Sequence, residues 1–207
     1  GIIHFHDADY FAQHMHNCCL VNLNDMLQNG TCISGTKIDK PHSFLTACTV
    51  ASQIVAQVAS SQYGGQTITM SHLAPFVDSS RKKIAKRLKE EFEATGITTT
   101  DEKFAELVQH EVIKEVESGC QTIQYQLITL QSTNGQAPFV TVFMYLNEVE
   151  EGQTRDDLAL IIEVMLKQRI LGVKDRTGSY ITPAFPKLIY VLQSDNIDES
   201  GKYYYLT

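Results

Sequence analysis

Apolar residues recur every third or fourth position through several long stretches of this chain, and short apolar runs framed by polar residues lie between them. "KPHSFLTACTVASQIVAQVASSQ" places Phe44, Ala47, Cys48, Ala51, Val55 and Val58 on one helical face, with Ser43 at the N-cap position. Its many small residues predict close packing. "APFVDSSRKKIAKRLKEEFEATG" reads as an amphipathic helix with a charged, solvated face, closed by Gly96. From Thr100 to Ser132 the same spacing predicts one long helix, or two joined near Gly119. "TRDDLALIIEVMLKQRILG" is a further helix, capped by Thr154 and ended by Gly172. Strands are expected at "CCLVNL" (Cys18 to Leu23), "APFVTVFMYL" and "FPKLIYVLQ", the second apolar on both faces as in a covered parallel sheet. "YGGQTITM" reads as a glycine-rich loop. Strands separated by helical segments of this length predict a helix-rich α/β architecture with a parallel sheet or barrel.

At 207 residues, 43% apolar and 20% charged, the chain can bury an ample core. A net charge of -7 argues against extended binding to a nucleic-acid backbone, which needs a basic face. No apolar run is long enough to predict a membrane span, and nothing reads as a signal peptide. Five cysteines, an odd number with two adjacent, argue against a secreted disulfide framework and for a reducing cytoplasm. A start at Gly1 and an end at "GKYYYLT" lead us to expect a piece of a longer polypeptide.

Candidate chemistry gathers in "HFHDADYFAQHMHNCC", with four histidines, two aspartates and two cysteines. Zinc takes four such ligands, but the spacing lacks the paired knuckles of closed sites, and adjacent cysteines on a strand point to opposite sides. The alternative is loop histidines followed by a small core thiol. Alternation along "CCLVNL" puts Cys19, Val21 and Leu23 on one wholly apolar face, and Cys18, Leu20 and Asn22 on the other. In a barrel the face with Asn22 would line the cavity, which makes Cys18 the candidate for thiol chemistry. No CxxC, GxGxxG, GxxxxGK[ST] or GxSxG motif occurs.

The blocks "HFHDADYF", "HNCCLVNLNDMLQNG", "PHSFLTACTVASQIVAQVASSQYGGQTI", "HLAPFVDSSR", "YQLITLQSTNGQAPFVTVF" and "FPKLIYVL" occur in order over nearly the whole chain. Together they resemble the central part of the class III anaerobic ribonucleoside-triphosphate reductases, the glycyl-radical enzymes. The resemblance implies an α/β fold that is the first half of a ten-stranded barrel, with residues 1–207 as a single partial domain and no complete second domain. It implies reduction of ribonucleoside triphosphates to deoxyribonucleotides by glycyl and thiyl radical chemistry, with formate as reductant. The radical glycine, the thiyl cysteine, the regulatory cone and a zinc site fall outside this piece, so no cofactor and no metal is expected within it.

Residue by residue, the resemblance makes Cys18 the interior thiol of the first strand and sets His6, Asp7 and Asn17 along the substrate region. For His6 and Asp7 the alternative is a loop held by hydrogen bonds. A deoxynucleotide or ATP effector between helices at a homodimer interface is implied near Asp39, His42 and Gln53, with Lys86 or a neighbour as phosphate contact. The implied partners are the ribonucleotide, these effectors and a radical-SAM activase acting on the complete enzyme. Two other readings stand beside this one, a zinc-binding module using the N-terminal histidines and cysteines, and a non-catalytic helical assembly domain.

Overall fold

The computed structural model describes residues 3, 16–62, 64–132, 135 and 137–207. In chain order the elements are β1 (Cys19–Leu20), α1 (Leu23–Gln28), β2 (Thr31–Ile33), β3 (Thr36–Ile38), α2 (Phe44–Ala59), β4 (Gln66–Thr69), α3 (Pro75–Thr95), α4 (Asp101–Thr129), β5 (Val140–Met144), α5 (Gln153–Leu171), β6 (Val173–Lys174), β7 (Tyr180–Ile181), β8 (Lys187–Tyr190) and α6 (Ser194–Ile197). Single 3-10 turns follow β4 and β5, at Met70–His72 and Leu146–Glu148. Strands β1, β4, β5 and β8 form one all-parallel sheet in that order, while β2–β3 and β6–β7 are separate antiparallel hairpins. Parallel neighbours require long crossovers, and α2, the α3–α4 pair and α5 supply them.

Two helix ends agree with the sequence chemistry. The Ser43 side chain accepts from Thr46 N–H at the start of α2, and Gly96 ends α3 with a left-handed φ of 68°, open to glycine without a Cβ penalty. Other expectations are corrected. Helix α5 begins two residues earlier, with Gly152 at the cap and Thr154 inside the helix. The α4 helix runs unbroken through Gly119, where the missing side chain makes room for the Phe44 ring; a Cβ there would lie 2.5 Å from Phe44 Cε1. Here glycine is a packing device. The supposed loop "YGGQTITM" contains the inner strand β4, and "CCLVNL" is a strand only at Cys19–Leu20. Asn22 caps α1, its side chain accepting from Asp25 N–H at 3.4 Å.

The core sits between the helices and one face of the sheet. Strand alternation turns Val140, Val142 and Met144 of β5 and Gln66 and Ile68 of β4 inward, where they are buried, and Leu188 and Tyr190 of β8 pack against the same core. Phe44, Phe76, Leu127, Ile123 and Leu158 fill the helical side. Each such apolar side chain contributes about 1.5–3 kcal/mol on burial. The charged face of α3 carries exposed pairs such as Lys82–Asp78 and Arg87–Glu91, but Arg81 departs from it. Its guanidinium turns inward and forks onto both carboxylate oxygens of buried Asp157 on α5, which Gln153 also meets at 3.0 Å. Among the described residues no helix is long and apolar enough to cross a membrane.

Candidate active site on the uncovered sheet face

No helix of the described chain covers the other face of the parallel sheet. Leu20, Thr67, Thr141 and Lys187 form one row across it by direct register, and Thr69, Phe143 and Ile189 form the next. Leu20 is 84% exposed and Lys187 and Ile189 are also exposed. The expectation of a strand covered on both faces thus holds on one face only within these residues. Parallel sheets are ordinarily buried on both sides.

At the N-terminal edge of this face lies Cys18. Its thiol is exposed and points to the Asn17 side-chain oxygen at 3.7 Å. Cys18 borders a hollow of about 380 Å³ with Leu20, Gly65, Thr67, Phe139 and Thr141, and Cys19 and Gln66 also reach its lining. Cys19 packs partly buried against the helical core, beside Val21 and Leu23. The alternation read from "CCLVNL" therefore describes the two thiols correctly, although the strand is shorter. Loss of hydration on burial, reinforced by the neighbouring Cys18, raises the Cys19 thiol pKa, and a hydrogen bond with Gln62 partly offsets this. Asn17 packs tightly on the turn before β4; a Cβ at Gly64 would fall 1.9 Å from its carbonyl oxygen, so only glycine fits.

Near the C-terminal edge a second hollow of about 600 Å³ is bordered by Leu20, Thr69, His72, Phe143, Glu148 and Ile189 among others. The Thr69 hydroxyl donates to the Glu148 carboxylate and lies 3.0 Å from the Ser71 hydroxyl. His72 Nδ1 is buried and has no hydrogen-bond partner among the described residues. Desolvation holds the His72 imidazole below its ordinary pKa, against the opposing pull of Glu148. This placing of an imidazole near a carboxylate was not foreseen, since strands β4 and β5 and their following turns are brought together only by long-range pairing. Ligands of parallel sheets gather beyond the strands' carboxyl ends, a positional signal that needs the register to be used.

His6 and Asp7 lie outside the described residues, as do His4 and His14 of the zinc alternative. Among the described residues no three histidine, cysteine or acidic side chains are grouped to hold a metal ion. Asp39 is exposed before α2 and pairs with Lys37 at 3.5 Å, and His42 is exposed just ahead of the Ser43 cap. Gln53, farther along α2, borders a hollow of about 590 Å³ with Ile33, Ile38, Gln57 and Gln126. Lys86 is exposed on α3, 3.9 Å from Glu90, and its neighbours Lys83 and Arg87 border a different hollow with Ser43, Thr46 and Lys114.

Comparison with known proteins decides the lineage. The family model described as anaerobic ribonucleoside-triphosphate reductase matches residues 1–207. This chain belongs to that family. Relatives bearing the same description include the enterobacteria phage T4 protein, 38% identical over 197 residues and 93% of this chain, and the Escherichia coli K12 protein, 37% identical over 199 residues and 93% of this chain. The Haemophilus influenzae protein is 37% identical over 196 residues. The match covers 30% of the phage protein and 25% of the two bacterial ones, so the chain spans less than a third of the length of these relatives.

Proposed function

We propose that this chain is part of an anaerobic ribonucleotide reductase, and that its uncovered sheet face is one wall of the cavity in which ribonucleoside triphosphates are reduced. The sheet is then the first half of a ten-stranded barrel, completed by chain beyond residue 207, and residues 1–207 act as one partial domain. The single observation that carries this reading is Cys18, an exposed thiol on the only uncovered face of the described sheet, while its neighbour Cys19 packs toward the core.

Reduction at the 2′ carbon replaces a hydroxyl with hydrogen; with formate as reductant the overall balance is ribonucleotide plus formate plus a proton giving deoxyribonucleotide, carbon dioxide and water. The residues of this chain contribute a hydrogen-atom donor at Cys18 Sγ, oriented by Asn17, and a wall of threonine hydroxyls at Thr67 and Thr141 that can meet the sugar. A thiol suits the donor role because its S–H bond is weak enough to be exchanged with a carbon radical. His6 and Asp7 are assigned to the approach to this wall. The exposed positions Asp39, His42, Gln53 and Lys86 are assigned to effector binding across a homodimer interface built on α2 and α3.

The test is anaerobic turnover by the complete activated protein, followed with labelled formate and each ribonucleoside triphosphate. Carbon dioxide and deoxyribonucleotide are expected in equal amounts. Deoxyribonucleotide formed with no consumption of formate would assign the electrons elsewhere, and no deoxyribonucleotide at all would defeat the reading.

A further inference from the structure

One row of the uncovered face holds more than the thiol. Cys19 N–H donates to Gly65 C=O at 3.1 Å and Gln66 N–H to Phe139 C=O at 2.9 Å, which sets Cys18, Gly65 and Phe139 side by side at the N-terminal edge of the sheet. Phe185 continues the row, its ring centroid 4.2 Å from that of Phe139 at 49°. Phe139 shares the hollow of Cys18, Thr67 and Thr141, and it is 51% exposed. Lys187, in the adjoining row, holds its ammonium 5.5 Å from the Phe139 centroid and 5.7 Å from that of Phe185, with no carboxylate partner among the described residues.

We propose that Phe139, backed by Phe185 and flanked by the Lys187 ammonium, is the platform on which the base of the ribonucleotide stacks beside Cys18. The proposal rests on the reading of this face as the reductase cavity and adds a specificity-neutral binding element to it. Gly65 makes the geometry workable. A Cβ there would lie 3.3 Å from Phe139 Cδ1, so glycine leaves the ring its place and adds no side chain between ring and thiol. Thiol and ring stand two strand spacings apart, about 10 Å between their Cα atoms, a gap that a sugar fills when its base lies over the ring. Each of the four bases has a π face, so an aromatic platform accepts them all, as a reductase acting on several ribonucleotides requires. The ammonium beside the rings, without a carboxylate partner among the described residues, favours a phosphorylated nucleoside over a neutral one.

Binding of CTP to the complete protein, carrying Cys18→Ser to prevent turnover, tests this directly by equilibrium dialysis. Phe139→Leu keeps apolar bulk and removes the π face; it should weaken CTP binding by about ten- to a hundredfold, the range of one base–aromatic stack. Phe139→Trp should restore binding to within a few-fold of the parent. Unchanged affinity in Phe139→Leu, or a lowered melting temperature with unchanged affinity, overturns the proposal and makes the ring a packing element for the rest of the barrel. A Cys18→Ser parent that binds no CTP overturns the reading of the face together with the platform.

Discussion

Cys18 and Cys19 are neighbours in sequence with opposite surroundings, and reagents should tell them apart. In the native protein a small alkylating agent should modify exposed Cys18 and Cys32 first. Cys19, with its pKa raised by partial burial, should follow slowly, and Cys48 and Cys120, buried with pKa values pushed up by desolvation, should react only on unfolding. Peptide mapping by mass spectrometry reads the order, and Cys19 reacting ahead of Cys18 would reverse the assignment of faces. His72 gives a second residue-scale test. Its folded pKa lies below the ordinary 6.5, so the unfolded chain binds more protons just below that value, and stability falls as pH drops through this window. His72→Gln should flatten that acid-side decline in a denaturation series, and an unchanged slope would remove the desolvated imidazole as its source. At this scale the sequence revealed the parity of two adjacent thiols, because alternation is local. It could not reveal Phe139, Lys187, His72 or Glu148, whose convergence depends on the register of strands far apart in the chain.

Among the elements, α4 shows how packing overrides propensity. Alanine is favoured over glycine inside a helix by about 1 kcal/mol, but at Gly119 a Cβ would collide with the Phe44 ring and approach Cys48 Sγ to 3.0 Å. Overpacking costs about 1–3 kcal/mol, so Gly119→Ala should be destabilising on balance, while exposed Ser118→Ala should stay within about 0.5 kcal/mol of wild type in urea denaturation. A more stable Gly119→Ala protein would contradict the contact. The α3–α5 tie is governed by charge. Arg81→Met leaves the Asp157 carboxylate, with 3% of its side chain exposed, facing only Gln153. The loss should fall near the lower end of the about 3–5 kcal/mol expected for breaking a buried pair, because Arg81 itself is partly solvated. Arg81→Met with Asp157→Leu should cost less than Arg81→Met alone, and equal or greater loss in the double variant would show that the pair is not the cause. The helices were legible from their spacing, with caps such as Ser43 and Gly96. Strand β4 was not, because "QTIT" is short with three polar residues of four, and its place in the sheet comes from partners on either side.

For the molecule as a whole, a parallel sheet with one bare face has consequences. Residues 1–207 prepared alone should self-associate, since Leu20 and Ile189 expose apolar surface and β1 and β8 are edges of the described sheet. Sedimentation should show species larger than a monomer, shifted toward monomer by Leu20→Lys with Ile189→Lys. A monodisperse monomer of the unaltered segment would indicate that the face tolerates water. The same segment should show no ribonucleotide reduction, because the resemblance sets the radical residues elsewhere in the protein.

The central claim is that Cys18 faces the reductase cavity, and turnover of the complete, activated protein with Cys18→Ser set beside Cys19→Ala tests it most directly. The hydroxyl of serine holds its hydrogen too strongly to donate it, so Cys18→Ser should fold normally and form no deoxyribonucleotide. Cys19→Ala should retain turnover and lose only about 1 kcal/mol of stability from its packing. If Cys18→Ser turns over and Cys19→Ala does not, the cavity lies on the other side of the strand and the account is contradicted.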